Sequence, residues 1–181
     1  MTTRPTLHTS RLVLGGFSVA DAPELQRLAG ARGIADTTLR IPHPYLLEHA
    51  LGWIDQQNRD EGDDHSATFA VRLEPSYQLI GSVGLSDIDQ EHSQAELGFW
   101  IGVDWWGQGY AREAARAVIQ YGFESLNLNR IVAHHMARNP ASGRVLQAVG
   151  MQREGLLRQR VVKWGEYEDV VLYAALRHEW R

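Results

Sequence analysis

Short apolar stretches bounded by turn residues recur along the chain and predict β-strands. Seven such stretches occur, at residues 11–14, 67–73, 78–85, 94–103, 130–136, 155–163 and 167–176. Four other segments place apolar residues three and four positions apart, a spacing typical of amphipathic helices. These predicted helices span residues 20–31, 48–60, 109–126 and 141–149.

The order of these elements predicts a mixed sheet. The three strands between residues 67 and 103 follow one another closely through turn-like connections, which favours antiparallel pairing. The helix over 109–126 instead joins two strands and indicates a parallel, right-handed crossover. We therefore expect an α/β fold of the α+β kind, a single domain over residues 1–181. Its mostly antiparallel, seven-stranded sheet would be flanked by about four helices.

Composition and charge exclude several classes of protein. The 181 residues are 44% hydrophobic and 22% charged, which is ordinary for a globular chain. A net charge of −4 does not favour non-specific nucleic-acid binding. The chain has no cysteine, which excludes disulfides, cysteine-ligated zinc and a cysteine acyl-enzyme. The longest apolar run, Val170–Leu176, is too short to span a membrane, so we expect a cytoplasmic protein without a membrane partner.

A glycine-rich turn at a helix start carries the clearest chemical signal. In Trp106-Gly107-Gln108-Gly109-Tyr110-Ala111-Arg112 a strand leads into the long helix. Free amides and the helix dipole make such a start a binding site for anions, and glycines let a phosphate approach the backbone. Arg112 stands where a dinucleotide-binding turn has its third glycine, and the Gly-Lys-Ser/Thr of a nucleoside-triphosphate loop is missing. A purely structural turn remains an alternative.

The turn and four further segments together resemble one family. These segments are Thr9–Leu14, Glu96–Gly102, Arg138–Ser142 and Gly165–Tyr173, in the same order and at the same spacing. They resemble the GNAT superfamily of acetyl-CoA-dependent N-acetyltransferases, in particular its RimJ/RimL-like branch, which includes ribosomal-protein N-terminal acetyltransferases. The resemblance implies the GNAT fold, with a sheet splayed between the fourth and fifth of the predicted strands. Two positions depart from the family pattern: Trp106 replaces the usual Gln or Arg, and Gly15 replaces a frequent Arg.

The resemblance also implies a donor, an acceptor and a binding site. Acetyl-CoA would be the acetyl-donor substrate, and a primary amine would attack it directly. The first expectation for that amine is a protein N-terminal α-amine. One alternative acceptor is a small amine, such as an aminoglycoside, a polyamine or an amino-acid-like compound. Another alternative is that the protein is a non-catalytic acetyl-CoA-binding module. The expected donor-binding residues are Ile101, Gly102, Val103, Trp106, Gly107, Gln108, Gly109, Tyr110, Ala111, Arg112, Asn139 and Ser142.

Two residues are candidates for catalysis. Strand alternation places Glu96 on one face with Gly98 and Trp100, where a carboxylate among apolar residues often has a perturbed pKa, and the resemblance favours it as the base. The alternative role for Glu96 is that of a cross-strand partner of an arginine or of a hydrogen-bonded edge residue. By resemblance, Ser142 would lie beside the cofactor sulfur and protonate the leaving thiolate. Its alternative is an ordinary helix N-cap.

Two further patterns have weaker functional interpretations. His134 and His135 are adjacent on a strand and point to opposite faces, so we expect no metal site. The acidic run Asp60–Asp64 is typical of a solvated turn, or it forms a negative lip that attracts a cationic amine.

The last predicted hairpin suggests self-association. It carries more apolar and aromatic residues than one buried face needs, and the expected partner is therefore a second copy of the chain. The residues concerned are Trp164, Tyr167, Val170, Val171 and Tyr173.

Overall fold

The computed structural model describes residues 5–59 and 65–180, so the acidic run over 60–64 lies outside the described residues. Within those ranges one sheet has eight strands in the order β1-β2-β3-β4-β5-β6-β8-β7. Their bounds are β1 Leu7–His8, β2 Leu12–Gly15, β3 Ala67–Leu73, β4 Leu79–Asp89, β5 Gln94–Ile101, β6 Arg130–Met136, β7 Gln152–Lys163 and β8 Glu166–Leu176.

The described ranges also form five α-helices. These are α1 Ala22–Ala29, α2 Arg32–Thr37, α3 Leu47–Arg59, α4 Tyr110–Glu124 and α5 Pro140–Ala148. The predicted mixed, mostly antiparallel sheet is confirmed, and β5–β6 is the one parallel pair among these strands.

The element counts differ slightly from the prediction. The eighth strand, β1, has only two residues and pairs only with β2, so it leaves no alternating pattern to detect. The fifth helix, α2, has only six residues, too few for a helical period to appear in the sequence. The strand predicted over 94–103 ends at Ile101, because Val103–Trp105 forms a 3₁₀ turn.

Apolar side chains pack on both faces of the sheet. One core lies under α4 and α5, and a smaller one lies under α1 and α3. The small-residue stripe of α4 lets that helix lie close to the sheet: a Cβ added at Gly122 would come within 2.8 Å of Ile131 Cδ1. This packing fixes the position of α4 on the sheet. Because the Gly-rich turn directly precedes the first residue of α4, the packing also positions the turn.

The sheet opens between β5 and β6. Their parallel pairing covers only Gln94–Glu96 against Arg130–Val132. Beyond Glu96, β5 keeps its pairing with β4 while β6 keeps its pairing with β8, so the two strands diverge toward their carboxyl ends. The predicted splay is confirmed, and it leaves one backbone edge of β5 free for a ligand.

The terminal hairpin is partly core and partly surface. Val170 and Tyr173 are buried, so they do not contribute to an apolar surface. Trp164 and Tyr167 remain exposed by 49% and 69%, and Leu156 on the edge strand β7 is exposed as well. The homodimer stays a prediction, and these exposed residues are the apolar surface that the terminal hairpin offers to a second copy. No helix of the described ranges is long and apolar enough to cross a membrane.

Candidate active site

A cavity of about 740 Å³ opens where β5 leaves β6, and we call it the turn cavity. Its wall comes from the end of β5, the Gly-rich turn, the first turn of α4 and one side of α5. Ten of the twelve expected donor-binding residues line it: Ile101, Trp106, Gly107, Gln108, Gly109, Tyr110, Ala111, Arg112, Asn139 and Ser142.

The Gly-rich turn has the backbone geometry of an anion cradle. Gly107 and Gly109 have φ values of +75° and +83°, in the left-handed region that favours glycine. Gly109 is also the N-cap of α4, and a Cβ added at Gly107 would meet nothing within 4 Å. The amides of Tyr110, Ala111 and Arg112 belong to the first helical turn, which has no intrahelical acceptor for them. Together with the helix dipole, these donors fit the diphosphate of a coenzyme A group.

An arginine outside the predicted site supports this turn from behind. Arg11 Nη1 donates to the carbonyl of Gln108 at 3.1 Å, and its guanidinium stacks 4.4 Å from the ring centre of Tyr110. Glu113 holds the same arginine, accepting from Arg11 Nε at 2.7 Å and from the backbone N of Arg11 at 2.9 Å. The hydroxyl of Thr9 donates to this carboxylate as well, at 2.6 Å. The segment before β2 is thereby tied to the first turn of α4.

The hydrogen bonds around Glu113 also set its charge state. Burial alone would raise the pKa of this carboxyl, but the bonds from Thr9, Arg11 and Ser10 together outweigh it and lower the pKa. Glu113 therefore remains a carboxylate, and its charge keeps Arg11 against the turn. The segment Thr9–Leu14 contributed to the family resemblance, but the link from Arg11 to the turn joins residues 97 positions apart and leaves no local signal.

Gly102 and Val103 are the two expected donor-binding residues that do not line the turn cavity. The amide of Gly102 donates to Ile80 O at 2.7 Å, and Val103 starts the 3₁₀ turn. Since antiparallel pairing alternates along a strand, Phe99 and Ile101 direct their backbone groups away from β4 and toward the opening. Trp106 Nε1 donates to Ile101 O at 2.6 Å, so the carbonyl of Ile101 already has a partner and Phe99 offers the free backbone groups.

A second cavity, of about 1020 Å³, lies on the sheet face that carries Glu96, Gly98 and Trp100, and we call it the sheet cavity. Its other walls are α3, the segment 37–42 and part of β7. The two cavities share five lining residues, namely Thr37, Thr38, Phe99, Trp100 and Ser142. The turn cavity and the sheet cavity therefore meet at the start of α5.

The two predicted catalytic residues lie at this meeting point or next to it. Glu96 is half-buried in the sheet cavity, and its Oε1 lies 3.2 Å from Nδ1 of His134. Its partner is a histidine and not the arginine considered as an alternative. Ser142 is the third residue of α5, whose N-cap is Asn139, so Ser142 does not occupy the cap position. Within residues 5–59 and 65–180 the Ser142 hydroxyl has no protein hydrogen-bond partner and borders both cavities.

The two adjacent histidines do point to opposite faces. His134 is exposed toward the sheet cavity, whereas His135 is buried with Nδ1 2.8 Å from Met136 O. In the part of the chain that the structure describes, no group of three or more His, Asp or Glu side chains could hold a metal ion.

The sole lysine of the chain shapes the sheet cavity. Lys163 is buried at the end of β7, and its Nζ donates to the carbonyl of Ile41 at 3.2 Å and contacts that of Leu39 at 3.4 Å. Burial lowers the pKa of Lys163, and the nearby charge of Arg138 lowers it further. Because Leu39 and Ile41 line the cavity, this lysine fixes one of its walls.

Sequence reasoning missed several lining residues of the turn cavity. Val145 and Ala148 follow Ser142 at helical spacing, so the predicted helix over 141–149 could have identified them. Thr37 and Thr38 lie at the end of α2, which packs against the segment after β5: a Cβ added at Gly33 would come within 3.1 Å of the Trp106 ring, and the sequence contains no signal for that contact.

Comparison with known proteins agrees with this geometry. The family model described as "Acetyltransferase (GNAT) domain" matches residues 11–152. N-acetyltransferase p20 of Bacillus licheniformis is 33% identical over 175 residues, covering 97% of this chain and 98% of that protein. The [Ribosomal protein uS5]-alanine N-acetyltransferase of Escherichia coli is 32% identical over 104 residues, covering 57% of this chain and 54% of that protein. The solved structure of RimL, a ribosomal L7/L12 α-N-protein acetyltransferase with coenzyme A, has a TM-score of 0.87 at 17% identity, covering 95% of this chain and 98% of that one.

Proposed function

The chain belongs to the GNAT acetyltransferase family and is an acetyl-CoA-dependent N-acetyltransferase, and we propose that its acceptor is the N-terminal α-amine of a protein. The observation that supports this proposal most is the meeting of two cavities at Ser142. The turn cavity has the hydrogen-bond donors for a diphosphate, and the sheet cavity is large enough for the end of a peptide. A group transfer between two bound molecules needs such a junction.

The turn cavity suits the donor. The amides of Tyr110, Ala111 and Arg112 would hold the diphosphate, and the free edge of β5 at Phe99 would pair with the amides of the pantetheine arm. Arg144 adds a second positive side chain beside Arg112. When bound, acetyl-CoA supplies a thioester whose carbonyl carbon accepts the amine and whose thiolate leaves.

The sheet cavity suits a peptide end better than a small amine. Its volume of about 1020 Å³ is at the upper end of ordinary small-ligand sites, which run to about 1,000 Å³. Its lining carries two carboxylates, Glu48 and Glu96, and two arginines, Arg40 and Arg160, so a positively charged N-terminus finds an acidic partner in a lining that is balanced in charge. Tyr45 and Trp53 add aromatic surface for the first side chain of a peptide. The names of the uS5-alanine enzyme and of RimL, which state protein acceptors, support the same choice.

The residues at the junction have distinct proposed roles. Glu96 assists removal of a proton from the acceptor amine, which is mostly protonated at neutral pH since an α-amine titrates near pH 8, roughly. The Ser142 hydroxyl, which borders both cavities, donates a proton to the leaving thiolate. The chain has no cysteine, so we propose direct attack in a ternary complex.

The test is acetyl-CoA turnover with a panel of amines, measured as thiol release. The panel contains peptides with free N-termini, the same peptides with blocked N-termini, polyamines and aminoglycosides. We expect turnover with the free peptides and none with the blocked ones. Faster turnover with polyamines or aminoglycosides would overturn the proposed acceptor while leaving the acetyltransferase in place.

The proposal includes assembly as a homodimer in the cytoplasm. The exposed Trp164 and Tyr167 on the terminal hairpin support a second copy as the partner. Light scattering at micromolar concentration should give twice the mass of the 20.4 kDa chain, and a monomer mass would contradict it.

A further inference from the structure

A histidine that the sequence analysis considered only as a metal ligand lies next to Glu96. The two residues come from β5 and β6, near the last paired residues before the strands diverge. Glu96 is opposite Val132, and His134 follows Val132 by two positions on the same face of the strand. Both side chains line the sheet cavity and are each 33% exposed.

The geometry points to His134 as the base that deprotonates the acceptor amine, with Glu96 holding its ring. This inference rests on the proposed function, because it assigns a residue to the proposed amine transfer. Glu96 Oε1 lies 3.2 Å from Nδ1, so the charge of the carboxylate favours the tautomer with its proton on Nδ1 and its lone pair on Nε2. A carboxylate that orients an imidazole in this way is a recurring arrangement in catalysis.

The other nitrogen of the ring is available to a substrate. Within residues 5–59 and 65–180, Nε2 of His134 has no hydrogen bond to the protein. By contrast, the neighbouring His135 is packed under α5, where a Cβ added at Gly143 would come within 2.7 Å of its Nε2. Of these two rings, only that of His134 has the exposure that a proton acceptor needs.

Imidazole also matches the task better than a carboxylate. An imidazole is intrinsically a much stronger base toward an alkylammonium ion than a carboxylate is. In the step itself, the ammonium group loses one proton to Nε2, and the nitrogen lone pair attacks the thioester carbon. The C–N bond forms as the C–S bond breaks. The attacking nitrogen loses its second proton to water, the Ser142 hydroxyl donates its proton to the leaving thiolate, and water returns a proton to the Ser142 oxygen.

The test uses two acceptor peptides that differ only in the pKa of the reacting nitrogen. One has an ordinary α-amine, and the other ends in a hydrazide-type nitrogen that is already deprotonated at neutral pH. His134→Ala should lower kcat by about 10²–10⁴ with the ordinary amine, the usual scale for a positioned base. The loss should be at least tenfold smaller with the low-pKa nitrogen, and added imidazole should restore part of the rate with the ordinary amine.

Three companion variants keep the result interpretable. His134→Gln preserves volume and should behave as His134→Ala does, except for rescue by imidazole. Glu96→Gln should lose less activity than His134→Ala. His92→Ala, in the exposed turn between β4 and β5, should match the wild type. Circular dichroism verifies that each variant is folded, and the KM of acetyl-CoA should stay unchanged in the His134 variants.

The opposite results distinguish failure of the role assigned to His134 from failure of the proposed acceptor. Equal losses on both acceptors, without rescue by imidazole, would overturn His134 as the base and leave it a positioning residue. A larger loss in Glu96→Gln than in His134→Ala, confined to the ordinary amine, would make Glu96 the base and also overturn the inference. If the wild type acetylates neither peptide, the proposed acceptor fails before the role of His134 is reached.

Discussion

The N-cap of α4 offers a sharp test of the phosphate cradle. Gly109 has φ +83°, and Gly165, in the turn between β7 and β8, has φ +84°. An alanine at either position must adopt a left-handed conformation, which costs roughly 1–2 kcal/mol. Gly165 does not line either cavity, so the Gly165→Ala variant carries the same backbone strain without a role in binding.

The structure gives the expected size of the binding effect. A Cβ at Gly109 would lie 3.5 Å from Arg11 Nη2, an ordinary contact, so the perturbation acts through the backbone and not through a clash. Relief of the strain rotates the amides of the first turn away from the phosphate. Losing one hydrogen bond to a charged group costs about 1.5–3 kcal/mol. Coenzyme A affinity should therefore fall at least tenfold, since about 1.4 kcal/mol corresponds to a factor of ten.

Two measurements on each variant separate stability from binding. Thermal unfolding should show a similar decrease in Tm for Gly109→Ala and Gly165→Ala, about 2–4 °C for each kcal/mol in a chain of this size. Calorimetric titration with coenzyme A should show weaker binding for Gly109→Ala alone. Wild-type affinity in a folded Gly109→Ala protein would refute the assignment of the diphosphate to this turn.

Three further predictions concern the residues around the site. Ser142→Ala should lower kcat by roughly 10²–10⁴ with little change in coenzyme A affinity by calorimetry, and an unchanged kcat would remove its role as the acid. Glu113→Gln should lower the free energy of unfolding by about 2 kcal/mol in urea titrations at neutral pH, because charged hydrogen bonds to Arg11 are lost. Because folding lowers the pKa of Glu113, this stabilisation is present above the ordinary carboxyl pKa and is lost as the pH falls. The difference in stability between Glu113→Gln and the wild type should therefore shrink in acid. The control variant Glu124→Gln, at an exposed position of the same helix, should show no such dependence. Lys163→Met should raise the KM of the acceptor several-fold in steady-state kinetics and leave the KM of acetyl-CoA unchanged. Because folding lowers the pKa of Lys163, the wild type should also gain stability as the pH rises from that lowered pKa toward the ordinary lysine value.

The features that could be predicted from the sequence are those that a local pattern determines. The stripe of α4 repeats at helical spacing, and its buried members, such as Ala114 and Val118, are the ones that the pattern selects. The Gly-rich turn is likewise local, since Gly107 and Gly109 indicate positive φ within three residues. Short elements escape this reasoning: β1 and α2 have two and six residues, too few for a period to appear.

The finer geometry of the site depends on contacts between distant segments. The contact of Glu96 with His134 requires the parallel register of β5 and β6, which the strand pattern leaves undetermined. Lys163 approaches Leu39 across 124 positions, and no local property of a single buried lysine indicates where its Nζ will find carbonyls. The resemblance implied that Gly102 binds the donor, and the strand pattern could not show that its amide donates to Ile80 O on the neighbouring strand.

The divergence of β5 and β6 explains why binding and chemistry share one location. In a parallel pair both carboxyl ends lie at the same edge, and each strand here leads into a helix start. The end of β5 leads to Gly109 at the start of α4, and the end of β6 leads to Asn139 at the start of α5. Two positive helix ends therefore face one opening, where the first can hold a diphosphate and the second can stabilise a developing thiolate. A longer β5–β6 ladder would close this opening, so the interrupted pairing after Glu96 is what gives Ser142 access to both cavities.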